Sequence, residues 1–182
     1  MKGSIAWGIT GSGDKLEETV DAMSAVKSAY GEIQIDVYLS KAGEQVVKYY
    51  GLEGGLEAFD KVYHEKDANN PFLAGKLQTG RYDLLLVAPS TSNTVAKLVA
   101  GIADTMLTNA AIQAVKAYVD VYVMPVDYRE GTIVTRLPDG TEMRLRVRKE
   151  DAENVRRLSV MDGFTTFEKT EEIKGIIERH LS

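Results

Sequence analysis

The chain has 182 residues, no cysteine, 22 Lys and Arg against 27 Asp and Glu, and a formal charge of −5. That length suits one domain able to bury its own core. The missing cysteine excludes disulfides, thiolate metal sites, iron–sulfur clusters and a thiol nucleophile, so any redox chemistry needs a bound organic cofactor. The body is acidic and only residues 129–157 lean basic, which argues against nucleic acid as the main partner.

In chain order, Ile5 to Ile9 reads as a short apolar strand, and Gly11, Ser12 and Gly13 form the turn after it. Asp14, with Glu17 three residues on, has the form of an N-cap opening an amphipathic helix to about Tyr30, ended by Gly31. Residues Ile33 to Leu39 make a second strand that stops at Ser40, and Ala42 to Tyr50 the next helix. Residues 51–80 are broken by glycine, asparagine and proline; Val62 and Tyr63 form a short strand, and the run DANNPFLAG is expected as a loop over a surface or site. Then Leu84 to Ala88 is unbroken and apolar, the pattern of a parallel strand buried on both faces, and it ends at Pro89 in a cluster of hydroxyls and an amide, Ser90 to Thr94. Helices at about Asn93 to Ala100 and Thr105 to Tyr118 follow, and Val121 to Val126 is the next buried strand.

The last third changes character. Thr132 to Arg136, the turn Leu137-Pro138-Asp139-Gly140 and Thr141 to Arg148 read as a β-hairpin, with Met143, Leu145 and Val147 on one face and Arg144, Arg146 and Arg148 on the other. Helices at about Lys149 to Met161 and Thr170 to Leu181 close the chain. Alternating βα units predict a single α/β domain over residues 1–182, doubly wound and flavodoxin-like (Rossmann-like), with a mostly parallel sheet, helices on both faces and a hairpin extension at about 131–148. No apolar run approaches the ~18 residues of a membrane helix, and the first residues lack a signal-peptide pattern, so a cytoplasmic protein is expected.

Three strand ends carry small polar residues: Thr10-Gly11-Ser12-Gly13, Ser40, and Ser90 to Thr94. In a doubly wound sheet such ends meet at one crevice, where hydroxyls and free N–H groups can hold a phosphate without a lysine. The first loop, Gly8-x-x-Gly11-x-Gly13, is neither the dinucleotide fingerprint nor a Walker A loop, which disfavours NAD and ATP. On spacing alone it is more often just a tight turn than a binding loop; Ser92 or Asn93 suits the cap of the next helix, and Asp104 either caps the helix from Thr105, the favoured reading, or meets a ligand.

The segment Ala88-Pro89-Ser90-Thr91-Ser92-Asn93-Thr94, followed by Gly101-Ile102-Ala103-Asp104, resembles the P-A-S-A-N-T and G-I-A-D-N-L-L signatures of the homo-oligomeric FMN-containing flavoproteins, a group that includes the cysteine decarboxylases. Within it, Ala6 to Gly13, Leu39 to Gly43, Gly101 to Asn109 and Leu137 to Gly140 are most similar to the archaeoflavoprotein and dihydromethanopterin reductase (acceptor) flavoproteins. The resemblance spans nearly the whole chain. It implies an FMN site at Thr10, Gly11, Ser12, Gly13, Ser40, Pro89, Ser90, Thr91, Asn93, Thr94 and Asp104, with Thr105, Met106 and Leu107 near the ring system. It further implies a homo-oligomer (a trimer or a multiple of trimers), a ferredoxin-like electron donor and a small-molecule acceptor such as a pterin.

The departures are informative. The decarboxylases carry a histidine where this chain has Gly75, and a P-A-M-N motif where Met124-Pro125-Val126-Asp127 stands. An FMN oxidoreductase is therefore the favoured expectation, with a flavin-dependent decarboxylase, a flavin prenyltransferase or a non-catalytic FMN module as alternatives. The hairpin arginines suit either an acidic partner or a solvated strand face, and His64 suits a surface position more than a substrate contact.

Overall fold

The structure, a computed structural model, describes residues 2–181. Strand β1 (Ser4–Ile9) leads into helix α1 (Leu16–Ala29), and β2 (Gln34–Leu39) into α2 (Lys41–Tyr49). A short helix α3 (Glu53–Leu56) precedes β3 (Lys61–His64), and α4 (Leu73–Gln78) precedes β4 (Leu84–Ser90). Helices α5 (Ser92–Ala100) and α6 (Met106–Lys116) connect β4 to β5 (Asp120–Pro125). Then come the hairpin strands β6 (Gly131–Arg136) and β7 (Glu142–Val147), α7 (Lys149–Leu158), β8 (Phe164–Thr166) and α8 (Glu172–Glu178).

Six strands form one parallel sheet in the order β3-β2-β1-β4-β5-β8, and β6 pairs with β7 antiparallel outside it. The expected doubly wound sheet is there, and its order is the Rossmann-like one, in which the chain reverses direction between β1 and β4. Period-two alternation explains the two cores. Leu84, Leu86 and Ala88 face one core with Trp7, α1 and α8, while Leu85 and Val87 face the other with α4, α6 and α7. All seven residues of β4 are buried, as an unbroken apolar strand between two helical layers must be. Helix α8 contributes Ile173, Ile176 and Ile177 to the first core, packed against α1.

Four local expectations are corrected. Helix α1 starts at Leu16, not at an Asp14 cap: Lys15 stands before it in the left-handed conformation (φ 59°), and no side chain caps the helix. Part of DANNPFLAG is helical, because Leu73 and Leu77 project from one face of α4 into the second core. The edge strand β8, three residues long, and the short helix α3 also escaped the pattern.

Candidate functional site

The loops after β1, β2 and β4 meet because their backbones approach closely. A Cβ on Gly11 would lie 2.6 Å from Cβ of Ala42, and one on Gly43 would lie 2.3 Å from the Ile9 carbonyl oxygen. Glycine at both positions lets α2 begin directly against the first loop. Thr10 then ties that loop to the fourth strand: its hydroxyl donates to the Pro89 carbonyl (2.8 Å) and accepts from the Thr91 N–H (3.0 Å). Trp7, fully buried beneath, donates from Nε1 to the Ala88 carbonyl at 2.7 Å.

Between these tips and the start of α6 lies a cavity of about 530 Å³. Nine of the residues expected at a ligand line it: Thr10, Gly11, Ser40, Thr91, Asn93, Thr94, Asp104, Thr105 and Leu107. Ser40 caps α2 by accepting from the Gly43 N–H (2.9 Å), which leaves its own proton free to donate. Thr91, rather than Ser92 or Asn93, caps α5 by accepting from the Thr94 N–H (3.2 Å). The N–H groups of Ser92 and Asn93, in the first turn of α5, have no intrahelical partner. Asp104 is not a cap either. Thr105 caps α6 in a reciprocal arrangement with Thr108, and the Asp104 carboxylate pairs instead with Lys97 Nζ at 2.8 and 3.0 Å.

Five of the expected residues do not line this cavity. Ser12 and Gly13 line a second one beside it. Pro89 contributes its carbonyl to the Thr10 link, and Met106 is buried with its N–H given to Glu65. Ser90 is fully buried, and its hydroxyl has no hydrogen-bond partner. His64 is exposed, faces Glu44 at 3.2 Å and lines neither cavity. One participant carried no sequence signal. Glu65, at the end of β3, accepts from the N–H of Lys41 (2.9 Å) and of Met106 (2.7 Å), so a single carboxylate spans the starts of α2 and α6.

The second cavity, about 380 Å³, shares Gly11 and Thr91 with the first. The hairpin roofs it with Ile133 and Leu137 and with Met143 and Leu145 of the face predicted apolar. Tyr50 anchors that roof by donating to the Arg136 carbonyl (3.0 Å), and its hydroxyl oxygen would lie 2.4 Å from a Cβ on Gly13, so a larger residue there would push the tyrosine aside. Asp14 and Asp127 stand in its wall, and burial raises the pKa of each carboxyl above its ordinary value.

Residues 1–161 match the family described as Flavoprotein. The chain belongs to the flavoprotein family. It is 50% identical to an uncharacterized protein of Methanocaldococcus jannaschii, over 97% of this chain and 95% of that one. It is 41% identical to the dihydromethanopterin reductase (acceptor) of the same organism, over 74% of this chain and 57% of that protein, so this flavoprotein spans little more than half of that relative. Among solved structures, Burkholderia xenovorans DmrB in complex with FMN, described as a cubic protein cage for redox transfer, superposes with a TM-score of 0.82 at 32% identity, over 97% and 94% of the two chains. Among the described residues of this flavoprotein, no helix is long and apolar enough to cross a membrane.

Proposed function

We propose that this flavoprotein is an FMN-dependent oxidoreductase that takes electrons from a small redox protein and passes them to a small-molecule acceptor, in the manner its dihydromethanopterin reductase relatives are named for. One observation carries the reading: the loops after β1, β2 and β4 surround a single cavity at the point where the sheet reverses direction, the place where open α/β sheets bind mononucleotides. The residues fit the cofactor. Gly11, Ser40, Asn93 and Thr94 would hold the phosphate through a free hydroxyl proton, an amide and first-turn N–H groups. Lys41 adds a positive charge to a wall that also carries Glu65, Asp67 and Asp104. Thr105 and Leu107 would lie along the ring system, Ser12 and Gly13 would shape the loop from its far side, and Pro89, Ser90 and Met106 would support the wall from behind. FMN itself supplies the electron or hydride transfer, while the chain sets its position and access.

Assembly as a trimer or a multiple of trimers accords with the cage of the DmrB relative. A ferredoxin-like donor fits the exposed hairpin arginines Arg144 and Arg146, since acidic redox proteins are drawn to such a strip. A decarboxylase has less support: the ring of Phe72 occupies the space next to Gly75, 2.0 Å from a Cβ built there.

The test is cofactor retention. Purified protein should be yellow and bleach on reduction. The Ser40→Gly variant keeps an acceptable helix cap but loses the hydroxyl; it and Asn93→Ala should each weaken FMN binding roughly tenfold to a hundredfold, the worth of a hydrogen bond to a charged group. Unchanged affinity in both variants would remove the phosphate site from this cavity, and protein that takes up no FMN would remove the function.

A further inference from the structure

The free edge of the sheet carries a third cavity, of about 190 Å³, which shares no residue with the other two. It forms because the first core is thinly covered there. Strand β3 is the edge strand, and of the four residues of α3 only Leu56 is buried, Gly54 and Gly55 having no side chain to bring. The floor is apolar throughout: Leu39 of β2, Val47 of α2, Leu56, and Val62 of β3. An apolar cavity of ~150 Å³ takes a benzene-sized guest, so this one has room for a chain of about five carbons. The rim is charged. Glu44 is already paired, with Lys48 at 2.7 Å and with His64 at 3.2 Å, so the one lysine of the lining is matched. Glu53 and Glu57 remain, both exposed and, among the described residues, without an ion-pair partner; Lys48 feels Glu53 only from beyond that distance. The mouth therefore carries an excess of negative charge above an apolar floor.

We propose that this cavity binds a short unbranched aliphatic ammonium, its alkyl chain laid on Leu39, Val47, Leu56 and Val62 and its charged end turned out toward Glu53 and Glu57. The two ends of such a ligand make opposite demands: methylenes gain by leaving water, whereas an ammonium that followed them would lose its hydration. A mouth that keeps the cation wet beside exposed carboxylates meets both. A carboxylate at the end of the same chain would face like charge instead, and an alcohol would gain the floor and miss the rim. The assignment does not rest on the FMN reading, since no residue of floor or rim lines the first cavity.

The experiment is a methyl NMR titration of the full chain at neutral pH, with and without FMN, using n-pentylammonium, pentan-1-ol and pentanoate, and then the alkylammonium series from propyl to heptyl. The methyl signals of Val47, Leu56 and Val62 should move. Affinity should climb about fourfold with each added methylene, the worth of one buried CH2, until the chain outgrows the cavity. Pentylammonium should bind about twofold to fivefold more tightly than pentan-1-ol, the scale of an exposed ion pair, and pentanoate more weakly than either. In the double variant Glu53→Gln, Glu57→Gln the ammonium and the alcohol should bind alike, with the floor signals still shifting. Floor methyls that do not move, affinity independent of chain length, pentanoate bound as tightly as pentylammonium, or an unaltered charge preference in the folded double variant would each overturn the proposal while leaving the FMN reading intact. The ligand comparisons on the unsubstituted chain decide the matter even if the variant fails to fold. Protein that shows these shifts but takes up no FMN would support the site and overturn the oxidoreductase reading instead.

Discussion

The two cavities lie on either side of the same loop tips and differ in what walls them. The first is largely polar, with the Ser40 hydroxyl, the Asn93 amide and Lys41 standing beside the carboxylates of Glu65, Asp67 and Asp104. The second sets Asp14 and Asp127, with the hydroxyls of Ser12 and Thr135, beneath an apolar roof. The starts of α2, α5 and α6 reach the first cavity, while the second is walled by the turn before α1, by Ser92 at the start of α5 and by the segment after β5. A shared edge, roofed by apolar side chains on one side only, separates the two spaces without any moving part.

Substitutions can break the comparison at three levels. Thr10→Val should have the largest effect, because Thr10 joins the tips common to both cavities. It strands the Thr91 N–H, costing about 1–3 kcal/mol of stability, seen as a lower urea midpoint, and it should weaken FMN binding. Tyr50→Phe should cost about 0.5–1.5 kcal/mol at most by releasing the hairpin from its anchor at the Arg136 carbonyl. Titration should show FMN retained; its loss would mean that the two cavities are not separable. Asp104→Asn removes only an exposed pair with Lys97 and should change stability by about 0–1 kcal/mol. FMN retention that falls by more than this would assign Asp104 to the ligand, and an equal or smaller change would leave it a surface ion pair.

The centre of the sheet was legible because its signals are local. In β4 the apolar run ends where hydroxyls begin, and both the burial of the strand and the position of the crevice follow from that boundary. The hairpin was equally plain, since alternation names the inward face. What stayed hidden depends on distant partners. The delayed start of α1 goes with Lys15, whose ammonium donates to the Glu168 carbonyl (2.7 Å) from across 153 positions of chain. Glu65 looks like any surface carboxylate until β3 brings it to two helix starts. Helix α4 left a trace in the Leu73 and Leu77 spacing, but asparagine and proline beside it pointed to a loop. The three residues of β8 are too few to show a period. The loops named from the sequence do meet around one cavity, whereas the tasks of individual hydroxyls were less legible. Thr10 and Thr91 serve the scaffold, a division of labour that only the hydrogen-bond partners reveal.

The packing of α8 against α1 has a consequence for biosynthesis. Ile173, Ile176 and Ile177 fill a layer whose other members include Leu16, Val20 and Met23, near the opposite end of the polypeptide. A nascent chain carries its β1–α1 unit through the synthesis of every element up to α8 with that layer open to water. The layer is sealed only when α8 has emerged, so the first core is expected to form late rather than stepwise as each βα unit appears.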